Sequence, residues 1–149
     1  MDINQKYLID IKEIRNVVTK DGNRPGFEFQ MKIPYYRGVA LSMIDDLYVK
    51  VGEDTFPRET LVFTVDGHSY TWPQIETVTT FRWEYGQKAT VFVPLEFGIF
   101  SGRPTKVEVG CTIRMGSMGR HPRPCVTQYV VNPDELEVVE YEKGVTICR

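Results

Sequence analysis

The chain has 149 residues, which is enough for one domain with a substantial buried core. Its formal net charge of −2, from 18 basic and 20 acidic residues, excludes the strongly basic surface typical of nucleic-acid-binding proteins and gives no attraction to anionic membranes. No apolar run is long enough to span a bilayer, and the N-terminal residues lack the apolar centre of a secretory signal, so we expect a soluble, cytoplasmic protein.

The three cysteines, Cys111, Cys125 and Cys148, indicate a reducing environment. An odd number without a Cys-x-x-Cys motif is typical neither of a disulfide framework nor of a zinc site. We therefore expect free thiols, and one disulfide between two of the three remains an alternative.

Alternation of apolar and polar residues runs along most of the chain and predicts β-strands that each have one buried face. Asp66 and Gly67 separate two such runs and predict a two-residue hairpin turn. The only helical signal is a single turn at 73–77, which Pro73 would open. In chain order, strands are predicted at 7–18, 27–33, 47–51, 61–65, 68–71, 89–93, 106–115, 126–131 and 136–141.

The strand spacing of roughly 8–12 residues, with turn residues between, is typical of a β-sandwich or barrel. One-sided alternation favours antiparallel sheets with a polar outer face. We therefore predict an all-β, antiparallel β-sandwich that forms a single domain over residues 1–149 and has at most a one-turn helix.

Residues for catalysis or metal binding do not form a recognisable pattern. The two histidines, His68 and His121, are far apart in the sequence. His-Glu-x-x-His, Gly-x-Ser-x-Gly and phosphate-binding glycine motifs are all missing. We expect His68 to be exposed on a hairpin strand. No catalytic residue, metal ligand or cofactor is predicted in this chain.

Clusters of aromatic and basic residues are instead typical of a protein–protein interface, because such side chains combine apolar area with a polar tip. Residues 34–38 and 81–86 form two such clusters, residues 95–102 form a third with two aromatic residues in a glycine-bounded loop, and prolines stiffen a basic loop at 120–124. For Trp83, a place in the core is the competing interpretation, and for the basic loop it is a plain solvated surface. The predicted interface residues are Tyr35, Tyr36, Arg37, Arg82, Trp83, Phe97, Phe100, Arg120 and His121.

The segment Pro-Tyr-Tyr-Arg-Gly-Val-Ala-Leu-Ser-Met-Ile-Asp-Asp at 34–46, followed by the strand at 47–51, resembles the beta (small) subunit of bacterial C-glycoside deglycosidases. The likeness continues through 80–86 and from 98–102 into the strand at 107–115. The first motif is fairly specific, whereas the Arg-Trp and glycine elements alone are weak. The loop at 120–124 and the C-terminal residues show no clear match.

The resemblance implies a β-sandwich subunit bound to a larger alpha subunit with a (β/α)₈-barrel fold. It also implies that the complex cleaves the carbon–carbon bond between sugar and aglycone in 3-oxo C-glucosides such as those of flavonoids. In this family the general base and a divalent, manganese-like metal belong to the alpha subunit, so the chain itself would be non-catalytic.

Two other classes of function remain as alternatives. A stand-alone carbohydrate-binding β-sandwich module would present a row of exposed aromatic side chains, for which Tyr35, Tyr36, Trp72 and Trp83 are the candidates. A small independent enzyme, such as an isomerase, would need an acid and a base within reach of one pocket, and the sequence offers no such pair.

Overall fold

A computed structural model describes residues 13–32, 39–65, 67–75, 82–83, 87–96, 98–99, 103–113 and 125–141. The described residues form twelve strands in two large layers, a two-stranded ribbon and one short helix, α1 (Trp72–Ile75). The all-β sandwich prediction is therefore confirmed, and no helix in the described ranges is long and apolar enough to cross a membrane.

The first layer is a six-stranded sheet with the strand order β12-β1-β2-β9-β6-β7, and the second is a four-stranded sheet with the order β11-β10-β4-β5. Two further strands, β3 and β8, pair only with each other. The strands are β1 (Arg15–Thr19), β2 (Gly26–Met31), β3 (Val39–Ala40), β4 (Ile44–Val51), β5 (Asp54–Phe56), β6 (Val62–Val65), β7 (His68–Tyr70), β8 (Arg82–Trp83), β9 (Ala89–Val93), β10 (Thr105–Ile113), β11 (Cys125–Val131) and β12 (Glu137–Tyr141).

The main core lies between the two sheets and is built from the alternating rows seen in the sequence. In β2, Phe27, Phe29 and Met31 are buried, and their partners in β9 are Val93, Val91 and Ala89. From the opposite sheet, the inward rows of β4 and β10 complete this core. Because successive strand residues point to opposite faces, the period-two pattern was sufficient to identify these rows.

A smaller apolar cluster lies on the other face of the six-stranded sheet. It contains Val17, Val62 and Phe92, with Val139 partly buried against them. Beside it the side chain of Glu28 is only 4% exposed and forms an ion pair with Arg15 at 3.0 Å. The expectation of a fully polar outer face is therefore wrong for this sheet, since apolar side chains from β12, β1, β9 and β6 exclude water there.

The hairpin predicted at Asp66-Gly67 is confirmed, because Val65 pairs with His68 across the turn. Gly67 has a φ of 77°, a left-handed conformation that glycine adopts without steric cost. The predicted helical turn also occurs, although it begins at Trp72. Its first turn is capped by Gln74, whose side chain accepts a hydrogen bond of 2.8 Å from the backbone N–H of Thr71.

The pairing of β12 with β1 is parallel, which the prediction of a purely antiparallel sandwich did not anticipate. The strand β12 follows β11, which belongs to the opposite sheet, so β12 reaches β1 by crossing between the layers. No tight hairpin connects β12 to β1, and the antiparallel direction is therefore not imposed on the pair.

Candidate subunit interface

The ribbon of β3 and β8 brings together two of the clusters that the sequence singled out. Val39 pairs with Trp83 and Ala40 pairs with Arg82, so the chain directly after the 34–38 cluster lies beside the 81–86 cluster. Tyr35, Tyr36 and Arg37 themselves lie outside the described residues, as does the side chain of Arg82. The pairing places residues 39–40, which follow the first cluster, beside residues 82–83 of the second.

Trp83 anchors this ribbon to the core and is completely buried by the chain itself. Its indole Nε1 donates a 2.8 Å hydrogen bond to the carbonyl of Gln87. Its ring meets Phe63 edge-on, with centroids 5.2 Å apart and an interplanar angle of 75°. The core interpretation of Trp83 is therefore correct, and this side chain is not available as an exposed interface residue.

The third cluster is held by a clamp that joins it to β1. The side chain of Asn16 accepts a hydrogen bond from the backbone N–H of Ile99 and donates one to the carbonyl of Ile99, both at 2.8 Å. The preceding Gly98 has a φ of 68°, and a Cβ there would stand 2.4 Å from the Asn16 Oδ1 atom. Only glycine fits this position, because any side chain at residue 98 would clash with Asn16 and strain the backbone.

Phe97 and Phe100, the aromatic residues predicted to form the interface in this loop, lie outside the described residues. Arg120 and His121 of the proline-stiffened loop lie outside them as well. For these residues, and for Tyr35, Tyr36, Arg37 and Arg82, the interface role stays a prediction.

A polar network on the outer face of the four-stranded sheet was missed by sequence reasoning. The Tyr48 hydroxyl donates a 2.6 Å hydrogen bond to Glu108, and Gln128 donates one of 2.5 Å to the other carboxylate oxygen. The Tyr48 ring covers Gly110, where a Cβ would come within 2.1 Å of it. These residues are outward positions of three different strands, so only the register brings them together.

The network shifts the pKa values of both Glu108 and Tyr48. The hydrogen bond from Tyr48, with further help from Gln128 and two nearby lysines, holds the pKa of Glu108 below its ordinary value against the opposing effect of burial. Burial, together with the hydrogen bond and negative charge of Glu108, raises the pKa of Tyr48 to about 12. At neutral pH the pair is thus a phenol donating to a carboxylate.

The residues that could carry other chemistry are dispersed in the described part of the chain. There, no group of three His, Cys, Asp or Glu side chains is placed to hold a metal ion. His68 is exposed on β7, as predicted. Cys111 is buried on β10, and the expectation of reduced cysteines stays a prediction.

The aromatic row needed for a stand-alone carbohydrate-binding module is not formed as proposed. Trp72 and Trp83 are 1% and 0% exposed, because both indoles pack into the main core. Half of the suggested sugar-stacking residues are therefore unavailable, and this correction weakens the alternative.

The arrangement of motifs along the chain matches a known family. The model of the C-glycoside deglycosidase beta subunit covers residues 4–116 of this sequence. The chain belongs to this family. A C-glycoside deglycosidase beta subunit from Eubacterium cellulosolvens is 29% identical over 98 residues, which are 66% of this chain and 67% of the relative. One from Arthrobacter globiformis is 30% identical over 90 residues, or 60% of this chain and 68% of the relative.

The region shared with the beta subunit family contains most of the candidate interface. The β3–β8 ribbon, the Asn16 clamp and the loop at 95–102 all lie within residues 4–116. The strands β11 and β12 lie beyond it, together with Arg120 and His121. The interface prediction thus rests on family-shared elements in three of its four clusters.

Proposed function

We propose that this chain is the small, non-catalytic subunit of a cytoplasmic C-glycoside deglycosidase, bound to an alpha subunit with a (β/α)₈-barrel fold. The observation that carries the proposal is the match of the beta subunit family model to residues 4–116. The names of both relatives, which designate beta subunits, support it.

The reaction we propose for the complex is a lyase-type cleavage of the carbon–carbon bond in a 3-oxo C-glucoside, such as that of a flavonoid. A keto group at C3 of the sugar acidifies the neighbouring C–H, so a base can remove that proton and start an elimination that releases the aglycone. We assign the base and a divalent, manganese-like metal to the alpha subunit, which is what the family resemblance implies.

The role left to this chain is to present a rigid surface to the alpha subunit. The core anchor of Trp83 and the Asn16 clamp support it, because both fix the backbone next to predicted interface residues. A loop that is already ordered loses less conformational entropy on binding than a free one. Within the first three clusters, the side chains proposed to contact the alpha subunit are those of Tyr35, Tyr36, Arg37, Arg82, Phe97 and Phe100.

The test is reconstitution with purified subunits and a 3-oxo C-glucoside of a flavonoid as substrate. We expect released aglycone when this chain and the alpha subunit of its source organism are mixed, and little with either subunit alone. Full activity of the alpha subunit alone would contradict the proposal. Cleavage by this chain alone would overturn its non-catalytic role.

A further inference from the structure

Two of the three cysteines occupy directly opposite positions in the four-stranded sheet. The antiparallel register of β10 and β11 makes Cys111 and Cys125 Cα partners, although 13 residues separate them in the sequence. The third cysteine, Cys148, lies outside the described residues. The sequence left open which two of the three a disulfide would join, and the register singles out one pair.

The backbone spacing of opposite strand residues suits a disulfide. In an antiparallel ladder the Cα atoms of such residues are about 4.5 or about 5.5 Å apart, according to the type of pair. Both distances lie within the range of about 4.4–6.8 Å that disulfides span. Opposite Cβ atoms are about 4.5–5.5 Å apart, and a disulfide holds them at about 3.5–4.5 Å, so the bond needs only a small approach of the two strands.

The surroundings of Cys111 favour a disulfide over other oxidised forms of this residue. Cys111 is 1% exposed and belongs to the main core together with Val109 and Ile113, its inward neighbours on β10. A bulky, charged adduct such as glutathione does not fit in a close-packed apolar core, whereas a disulfide is compact and uncharged. A hydrogen bond to a thiol does not prevent its oxidation, so the two sulfur atoms need only come within bonding distance.

We propose that Cys111 and Cys125 are a redox pair that closes into a disulfide between β10 and β11. The oxidant is a low-molecular-weight disulfide such as oxidised glutathione. One cysteine thiolate attacks a sulfur of the oxidant and releases a glutathione thiolate, and the other cysteine thiolate then displaces the second. Two protein thiols are thereby oxidised, the glutathione disulfide is reduced to two thiols, and the two protons pass to the released thiolates.

The bond would join the two ends of the connection between β10 and β11. It closes a loop of about 15 residues, which restricts the unfolded chain more than the folded one. We expect oxidation to raise the thermal midpoint Tm by about 5–10 °C. The inference concerns this chain alone, so it holds or fails independently of the proposed enzymatic role.

Peptide mapping of the full chain tests the pairing. The chain is incubated with excess oxidised glutathione, both folded and during refolding from urea, so that burial of Cys111 does not limit the reaction. Each cysteine lies on its own tryptic peptide, at 107–114, 121–143 or 144–149, because Pro124 prevents cleavage after Arg123. We expect the first two peptides to be linked, with an intact-mass loss of about 2 Da for the two hydrogens removed. Dithiothreitol should reverse both the link and the rise in Tm.

Two variants separate this pair from other thiol chemistry. We expect Cys125→Ala to abolish the linked peptide and the rise in Tm. Cys148→Ala is the matched control, and it should behave like the wild type in both respects. Thermal melts under reducing conditions establish that each variant is folded, and the map of the wild-type chain needs no variant at all.

Other results overturn the proposal. A link between 144–149 and either other peptide in the wild-type chain assigns the oxidation to a different pair. Recovery of only thiols or mixed disulfides after refolding in excess oxidised glutathione means that residues 111 and 125 do not come within bonding distance. A rise in Tm that persists in Cys125→Ala assigns the stabilisation to another modification.

Discussion

Trp83 illustrates how one side chain can belong to an interface segment without being part of the interface. Its ring is enclosed by the core and its N–H is paired, while the neighbouring Arg82 precedes it on the same two-residue strand. The interface role of Arg82 stays a prediction. The residue that anchors the segment is therefore distinct from the residue predicted to contact the partner.

Trp83→Ala tests this separation. We expect it to destabilise the isolated chain by about 3–5 kcal/mol, because it removes a large buried side chain and leaves the carbonyl of Gln87 without its donor. Chemical denaturation measures the loss. Arg82→Ala is the contrasting variant, and we expect it to weaken binding to the alpha subunit with little change in unfolding free energy. A large loss of stability in Arg82→Ala, with weakened binding but unchanged stability in Trp83→Ala, would contradict the assignment of Trp83 as the core anchor and Arg82 as the contact residue.

The hydrogen bond between Tyr48 and Glu108 should make the stability of the chain depend on pH. Because the folded-state pKa of Glu108 is lowered, its contribution to stability is present above the ordinary carboxyl pKa and is lost as pH falls through the folded value. Tyr48→Phe should cost about 1 kcal/mol near neutral pH, and that difference should shrink under acid. Denaturation curves between about pH 2 and pH 8 measure it.

The matched control for the pH effect is the same substitution in a Glu108→Gln background. There the cost of Tyr48→Phe should not vary across the acid range, because no carboxylate titrates. A pH-independent cost in the wild-type background would show that the hydrogen bond does not perturb Glu108. At the alkaline end, the raised pKa of Tyr48, about 12, gives stability that is present below pH 10 and lost as pH rises through that value.

At the scale of elements, the Asn16 clamp connects β1 to a loop more than eighty residues away in the sequence. Asn16→Ala leaves the buried N–H and carbonyl of Ile99 unpaired, so we expect a loss of about 1–3 kcal/mol in unfolding free energy. Asn16→Asp is the graded control, since it keeps the acceptor for the Ile99 N–H and removes only the donor. If the loop contacts the alpha subunit, both variants should also weaken that binding in the same order, as titration calorimetry would measure.

The edge strand β12 provides a second element-scale prediction. Val139 packs against the outer cluster of Val17, Val62 and Phe92, whereas its neighbour Val138 is 60% exposed. We expect Val139→Lys to cost about 1–3 kcal/mol and Val138→Lys less than about 0.5 kcal/mol. Equal costs in thermal or urea unfolding would mean that β12 does not lie in the described register against β1.

The sequence was informative about strands and less so about their arrangement. Period-two alternation located the rows of β2, β4, β9 and β10, and the Asp-Gly pair located the hairpin, because both signals are local. The parallel pairing of β12 and the burial of Glu28 depend on which strands become neighbours, which a local pattern does not contain. The Tyr48 network was missed for the same reason.

For the candidate interface, too, the sequence located the segments but not the orientation of their side chains. Composition identified clusters of aromatic and basic residues, but it did not decide which member turns inward. Trp83 was assigned to the interface with the core as the competing interpretation, and the packing against Phe63 decided for the core. Asn16 carried no recognisable signal, since a single asparagine on a predicted strand is informative only once its distant partner is known.

At the scale of the whole molecule, the chain is a β-sandwich whose family-shared region carries a ribbon and a clamped loop beside predicted contact residues. The polar network of Tyr48, Glu108 and Gln128 lies on the four-stranded sheet. The central claim concerns the association with the alpha subunit.

The most direct measurement is co-expression of this chain with the alpha subunit of its source organism, followed by size-exclusion chromatography with mass determination by light scattering. The account predicts that the two chains co-elute in a fixed ratio, and that Arg82→Ala reduces the co-eluting fraction while Val138→Lys does not. Separate elution of folded wild-type chains would contradict the claim that this protein is the small subunit of such a complex.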